Sequence, residues 1–187
     1  MEIETERLLL REFTPDDVED FAACSEDADG RRFYEERDGL DEARELVELF
    51  VGWQQEEPRR HYQMAVVLKA SGRLIGTCGL RQRQQVDYGG GSPLEGDIGY
   101  GIHADHRRRG YATEACLAML RFGFEEIGLH RVWTFCLAEN EASWRVLERI
   151  GMRREGVLKD NVWLRGRAWD TALYAILKDE WSVRRQH

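Results

Sequence analysis

The hydrophobic positions of this chain repeat with two different spacings, and each spacing predicts a different kind of element. Runs in which apolar residues dominate or alternate predict strands at residues 5–13, 62–69, 73–82, 96–103, 131–137, 153–165 and 168–177. Apolar residues three and four positions apart predict helices that begin at Thr14 and that span 40–57, 112–127 and 140–150. This order predicts an α/β fold with one mixed sheet. Because we find no internal repeat or linker, we expect a single domain over residues 1–187.

Several element boundaries are marked by residues with strong local preferences. Thr14 precedes Pro15, the order expected of an N-cap and a first helical residue. Pro58 cannot continue a helix and is expected to end the one at 40–57. Glycines interrupt the strand at 96–103, and they predict a bulge or a close approach by another part of the structure.

Composition and charge narrow the classes of function. The chain has a net charge of −8, whereas a general binder of nucleic acid or of anionic membranes needs an excess of positive charge. The N-terminus is acidic, unlike the basic start of a secretory signal, and no apolar run reaches the length of a membrane span. We therefore expect a cytoplasmic protein that binds neither nucleic acid nor membranes.

The cysteines and histidines form no recognisable metal or redox motif. The four cysteines are Cys24, Cys78, Cys116 and Cys136. No two of them have C-x-x-C spacing. His103 and His106 are close, but no cysteine or carboxylate pattern completes a tetrahedral site around them. The sequence predicts buried, reduced cysteines and no metal.

The most informative segment spans residues 106–115 and joins the glycine-bearing strand to the strongest helix. Gly110 lets the backbone approach a ligand closely, and three arginines precede it. A helix start also presents N–H groups without intrahelical partners and the positive end of the helix dipole. These features predict a cradle for a pyrophosphate group. The alternative is a solvated, arginine-rich turn, and the segment by itself does not decide between them.

The same segment resembles a motif of the GCN5-related N-acetyltransferases (the GNAT family). Arg107-x-x-Gly110-x-Ala112 is similar to their [QR]-x-x-G-x-[GA] turn, which binds the pyrophosphate of acetyl-CoA. Four further segments resemble the branch that acetylates the N-terminal alanine or serine of ribosomal proteins. They are Thr5-Glu6-Arg7-Leu8-Leu9-Leu10-Arg11, Asp97-Ile98-Gly99-Tyr100, Asn140-x-x-Ser143-x-x-Val146-Leu147-Glu148-x-x-Gly151-Met152 and Asp170-x-x-x-Tyr174-x-Ile176-Leu177.

This resemblance implies a mixed, mostly antiparallel sheet, flanked by four helices and splayed into a V between the strands at 96–103 and 131–137. The pantetheine arm of acetyl-CoA would lie in the V, and its pyrophosphate on the turn before the helix at 112–127. The implied cofactor contacts are Ile102, His103, Ala104, Arg107, Arg108, Arg109, Gly110, Tyr111, Ala112, Thr113, Asn140 and Ser143. Coenzyme A would be the product, and no metal is needed.

Acetyl transfer from a thioester to an amine needs a neutral amine, a polarised carbonyl and a proton for the leaving thiolate. By resemblance, Ser143 would supply that proton, and a backbone N–H near Ile102 would polarise the carbonyl. Asp97 is the candidate base. Glu95 lies on the same face of the strand, because the two positions alternate, and it is a second candidate. A water chain or a neutral His103 are the alternatives.

The acceptor is expected to be a primary amine, on a protein N-terminus or on a small molecule. The early helices, the loop at 84–95 and the terminal hairpin would build its pocket. Its candidate aromatic residues are Phe33, Tyr34, Trp53, Trp163 and Trp169, and its candidate acids are Glu35, Glu36, Asp38, Asp41 and Glu42. Aromatic residues at such spacings are more often part of a core, and a run of acids is more often a solvated face.

Two other functions fit the same residues. One is a non-catalytic sensor that binds acyl-CoA without turnover. The other is a longer-chain acyltransferase, because Gly101 stands where the family often has a bulky aromatic residue. We expect a monomer or a homodimer.

Overall fold

The computed structural model describes residues 1–25, 39–83 and 94–184. These residues form eight strands and five α-helices. The strands are β1 (Glu2–Glu4), β2 (Leu8–Glu12), β3 (His61–Leu68), β4 (Arg73–Arg83), β5 (Glu95–Ile102), β6 (Arg131–Leu137), β7 (Arg153–Leu164) and β8 (Arg167–Leu177). The helices are α1 (Val18–Ser25), α2 (Gly39–Trp53), α3 (Tyr111–Phe122), α4 (Glu141–Arg149) and α5 (Lys178–Arg184).

All eight strands belong to one sheet, in the order β1-β2-β3-β4-β5-β6-β8-β7. Strands β5 and β6 run parallel, and the other pairs with a described register run antiparallel. The described parallel register covers three residue pairs, Glu95–Asp97 against Arg131–Trp133. Strand β6, by contrast, pairs with β8 along its whole length. The predicted mixed, mostly antiparallel sheet is confirmed.

Two elements go beyond the sequence prediction. Strand β1 has three residues, which are too few for an alternating pattern to be visible. Helix α5 follows β8 without a break, so no turn residue marks where it begins. Residues 84–93 of the predicted loop lie outside the described residues, as do Phe33, Tyr34, Glu35, Glu36 and Asp38.

Helices α2 and α3 both end earlier than predicted. Helix α2 ends at Trp53, because the next three N–H groups bond to carbonyls three residues back and tighten the chain into turns. Helix α3 ends at Phe122 and continues as a π-helical turn over Gly123–Ile127. Gly128, at a φ of +79°, then ends the helix.

The chain divides into two compact units, and each has its own core. The first comprises residues 1–81 and 99–119, and the second comprises 82–98 and 120–187. In the first unit, Phe13 packs against Phe21 and Phe50 at ring distances of 5.3 and 5.1 Å. In the second, Phe124 packs against Trp181 of α5 at 5.8 Å. The single domain over residues 1–187 stays a prediction.

The cysteines are unpaired thiols. Cys78 and Cys116 are fully buried with their Sγ atoms 3.8 Å apart, whereas Cys24 is partly exposed rather than buried. The described part of the chain holds no group of three or more His, Cys, Asp or Glu side chains that is arranged for a metal ion. In the same ranges, no helix combines the length and apolar character needed to cross a membrane.

Strands β4 and β5 approach each other closely at the end of β5. The His103 N–H donates to the Ile75 carbonyl at 2.8 Å. A Cβ atom at Gly76 would overlap the Gly101 carbonyl oxygen and would lie 2.9 Å from Cδ1 of Ile102. At Gly101, by contrast, no heavy atom of the described residues lies within 4 Å of such a Cβ. A close approach is present as predicted, but the glycine that it requires is Gly76 of β4.

We expect Gly76→Ala to lower the free energy of unfolding by about 1–3 kcal/mol, because the added methyl group would push β5 off β4. Gly101→Ala is the matched control. It adds the same methyl group to the other side of this contact, where there is space, and should change stability by less than about 0.5 kcal/mol. Urea denaturation of both variants measures the difference. Equal losses would contradict the packing argument.

Candidate functional site

The segment between β5 and α3 is an exposed turn with an unusual backbone. It starts with a short 3-10 turn over Ala104–His106 and ends at Gly110, directly before α3. Arg108 and Gly110 have positive φ angles of 60° and 84°. Glycine adopts this conformation readily and arginine does so rarely. Residues 107–110 are exposed, so the turn faces solvent.

The structure brings the predicted pyrophosphate residues together at this turn. Arg107 folds back on β5, and its Nε donates to the Ile102 carbonyl at 2.9 Å. The side chains of Arg108 and Arg109 are exposed. The remaining three, Tyr111, Ala112 and Thr113, form the first turn of α3 and are partly buried.

Residues 102–104 were all predicted to contact pantetheine through the main chain, but some of their backbone groups already have partners within the protein. His103 uses its N–H on Ile75, and its carbonyl accepts the His106 N–H at 2.9 Å. The Ala104 carbonyl accepts the Arg107 N–H at 3.1 Å. Because backbone groups alternate along a strand, the Ile102 N–H points away from β4, opposite to that of His103. Of the three predicted pantetheine contacts, Ile102 therefore has the most suitable backbone orientation.

Two residues of this region were missed by the sequence analysis. Arg7 precedes β2, and Glu114 lies in the first turn of α3. They form an ion pair in which Nη2 of Arg7 lies 2.6 Å from Oε2 of Glu114. Glu114 by itself was a signal for such a contact. A carboxylate at a helix start that is expected to bind an anion needs a positively charged partner to neutralise it.

Asn140 and Ser143 lie together at the start of α4, as predicted. Asn140 is the N-cap, and its Oδ1 accepts the Ser143 N–H at 3.1 Å. The Ser143 side chain hydrogen-bonds Cys136 of β6. Burial raises the pKa of the Cys136 thiol to about 11, although the Ser143 bond acts to lower it. At neutral pH Ser143 therefore faces a neutral thiol.

The two predicted base candidates differ in burial and in partners. Asp97 is 4% exposed, and its Oδ1 lies 2.5 Å from Nε of Arg83. Glu95 is partly buried, with Oε2 at 3.9 Å from Nε of Arg131. The Arg131 guanidinium is engaged mainly with Glu155, at 2.5 Å. Asp97 is thus held firmly in one orientation, and Glu95 only loosely.

The predicted aromatic residues do not form one group. Trp169 is buried and donates its Nε1–H to the Leu164 carbonyl, and Trp53 stacks on His61 at 4.5 Å. These two have structural contacts, whereas Trp163 is 72% exposed. A pair that the sequence analysis missed, Trp133 and Phe135 of β6, lies edge to face at 5.3 Å.

Comparison with known proteins identifies the family. The chain matches the family described as "Acetyltransferase (GNAT) domain" over residues 7–153. It is 34% identical to the uncharacterised N-acetyltransferase YnaD of Bacillus subtilis over 183 residues, which are 97% of this chain and 100% of that protein. It is also 28% identical, over 46% of this chain and 44% of the relative, to the ribosomal protein uS5-alanine N-acetyltransferase of Escherichia coli.

The fold has close counterparts among solved structures. The crystal structure of a GNAT-family acetyltransferase from Bacillus anthracis superimposes with a TM-score of 0.77 at 30% sequence identity, and the match covers 96% of this chain and 99% of that one. The resemblance noted in the sequence is thereby confirmed. The chain belongs to the GNAT family of acetyltransferases, and ribosomal-protein N-acetyltransferases are among its relatives.

Proposed function

We propose that this acetyltransferase moves an acetyl group from acetyl-CoA directly to a primary amine while both are bound. The observation that carries the proposal is the exposed turn at residues 107–110, which leads into α3. Its positive-φ glycine and its arginines fit a pyrophosphate group. The acceptor is a protein N-terminus or a small-molecule amine.

The turn supplies what a diphosphate needs in a chain with a net charge of −8. Arg108 and Arg109 offer exposed guanidinium groups, and the start of α3 offers N–H donors and the positive end of its dipole. Burial, and then the positive charge of Arg109, lower the pKa of His106. The Arg109 charge is the smaller of these two causes, and it is the one that would also attract a diphosphate.

Acetyl-CoA supplies an activated acetyl group as a thioester. The amine nitrogen attacks the thioester carbonyl carbon, so that a C–N bond forms and the C–S bond breaks. The Ile102 N–H polarises the carbonyl, and Ser143 donates a proton to the departing thiolate and regains one from solvent. Asn140 positions Ser143 by accepting its backbone N–H, and its side-chain amide contacts the cofactor arm.

The proton that the amine loses goes to Asp97, directly or through a water. Its burial and its contact with Arg83 fix the direction of its carboxylate. Glu95 lies two residues away on the same face of β5 and is the alternative acceptor of that proton.

Gly101 supports a second candidate, an acyltransferase that uses longer acyl groups. A Cβ atom at this position would meet no heavy atom of the described residues within 4 Å. Turnover with acetyl-CoA against butyryl-CoA separates the two candidates. A protein that binds either thioester without releasing thiol over a panel of amines would instead be a sensor.

Gly110→Asp is expected to weaken acetyl-CoA binding by about 100-fold or more, because it places an anion against the pyrophosphate. The control is Gly128→Asp. Gly128 has a similar φ of +79°, so the backbone strain is matched, but it lies after the π-helical turn rather than before α3. Calorimetric titration with acetyl-CoA measures both. Wild-type affinity in Gly110→Asp would exclude the turn as the pyrophosphate site.

Ser143→Ala should lower kcat by about 100-fold, the usual contribution of a general acid, with little change in the Kd of acetyl-CoA. Ser182→Ala is the control, since Ser182 also lies in a helix and bonds the Lys178 carbonyl at 3.0 Å. Thiol release under saturating substrates measures kcat. A kcat near that of the wild type would leave Ser143 as a helix-start residue only.

Asp97→Asn should lose activity mainly at lower pH, where the amine most needs a base. Arg83→Gln is compared with it, because that variant breaks the same ion pair and keeps the carboxylate, so it separates loss of the base from loss of its orientation. We compare the pH dependence of kcat/KM for both variants and for Glu95→Gln. If the profile of Asp97→Asn equals that of the wild type, the base is Glu95, His103 or a water.

A further inference from the structure

The short segment before β2 reaches across to the turn that precedes α3. The Arg7 Nε and Nη2 donate to Oε2 of Glu114 at 2.7 and 2.6 Å, and the Arg7 backbone N–H donates to Oε1 at 2.9 Å. Thr5 adds its hydroxyl to Oε1 at 2.6 Å. Both oxygens of this carboxylate are therefore bound by a segment more than 100 positions away in sequence.

Arg7 also contacts the backbone of the turn itself. Its Nη1 donates to the Arg109 carbonyl at 2.9 Å, and its guanidinium lies 4.6 Å from the centre of the Tyr111 ring. A Cβ atom on Gly110 would lie 3.3 Å from Arg7 Nη2. Arg7 is thus packed on the residues on both sides of Gly110. It fixes the peptide planes of a turn whose φ angles at Arg108 and Gly110 are positive.

Glu114 carries a negative charge at the turn, so an anionic ligand can bind there only if a contact such as that with Arg7 neutralises it. Burial acts to raise the pKa of Glu114, but the hydrogen bonds from Thr5 and Arg7 outweigh it, and the pKa lies below its ordinary value. Glu114 is therefore an anion at neutral pH. Without Arg7, that anion would repel a pyrophosphate at the start of the same helix.

We propose that Arg7 is a positioning residue for acetyl-CoA, which neutralises Glu114 and holds the Arg109–Gly110 turn in the shape that receives the pyrophosphate. This inference rests on the proposed function. Arg7 acts through Glu114 and the turn, and it need not touch the cofactor.

The test compares Arg7→Ala with a matched variant, Arg59→Ala. Arg59 makes the same three kinds of contact elsewhere in the first unit: an ion pair with Glu12 at 2.5 Å, a bond from Nε to the His61 carbonyl at 3.1 Å, and a place 4.8 Å from the Tyr62 ring centre. The Kd of acetyl-CoA is measured by calorimetry, and KM and kcat by thiol release, at a temperature where both variants are folded.

Arg7→Ala should raise the Kd and the KM of acetyl-CoA about tenfold, with kcat at saturation unchanged, while Arg59→Ala changes neither constant. In the double variant Arg7→Ala/Glu114→Gln, part of the lost affinity should return, because the uncompensated anion is gone while the Arg109 carbonyl still lacks its donor. If Arg7→Ala does not fold, Arg7→Lys replaces it. A lysine at this position would keep a positive charge beside Glu114, but one ammonium group cannot also bind the Arg109 carbonyl in this geometry. We therefore expect a loss of affinity that is smaller than that of Arg7→Ala.

The proposal is overturned if Arg7→Ala binds acetyl-CoA like the wild type, or if Arg59→Ala loses as much affinity. It is also overturned if Glu114→Gln restores nothing in the double variant. Failure of the proposed function is distinguishable from all of these, because the wild-type protein itself would then bind no acetyl-CoA or release no thiol over a panel of amines.

Discussion

The close contact between β4 and β5 at Gly76 is the constraint on which the candidate cofactor site depends. The His103 N–H bonds to Ile75 there, and the Gly101 carbonyl lies where a Cβ of residue 76 would be. This contact fixes the end of β5, and the end of β5 fixes where the turn to α3 begins. It also turns the backbone of Ile102 away from β4, because neighbouring residues of a strand direct their N–H groups to opposite sides. The absence of a side chain at Gly76 therefore orients the Ile102 N–H, which is the backbone group that the proposed chemistry uses.

Carboxylates near the proposed chemistry are held by arginines from other segments. Arg7 binds Glu114 at the start of α3, and Arg83 binds Asp97 in β5. Of the 27 basic residues only three are lysines, Lys69, Lys159 and Lys178. A guanidinium can bind a carboxylate and a backbone carbonyl at the same time through different nitrogens, as Arg7 does, and a lysine ammonium lacks this planar fork. At these positions arginine therefore makes contacts that a lysine could not make.

Local signals in the sequence predict much of the fold and part of the site. Asn140 is the N-cap of α4 and binds the Ser143 N–H, because cap preferences act over three or four residues. The turn at Gly110 was predictable for the same reason. The contact between Arg7 and Glu114 was not, since nothing in either neighbourhood specifies a partner more than 100 residues away. The burial of the aromatic residues was not predictable either. Trp163 and Trp169 lie on one hairpin, yet Trp163 is exposed and Trp169 is buried.

The difference between local contacts and contacts with distant segments also explains why Ser143 is better supported as the acid of the proposed reaction than Asp97 is as its base. Ser143 is presented by a rigid helix start, and its neighbour Cys136 remains a neutral thiol because burial raises its pKa to about 11. No thiolate therefore competes for the hydroxyl. Asp97 has no such simple surroundings, because its buried carboxylate is already bound to the Arg83 guanidinium and must still reach the amine. A carboxylate held in one direction cannot turn to follow the amine, so a water relay between the two would let Asp97 assist from its fixed position. The dependence of the reaction on Arg83 is therefore as informative about the base as its dependence on Asp97.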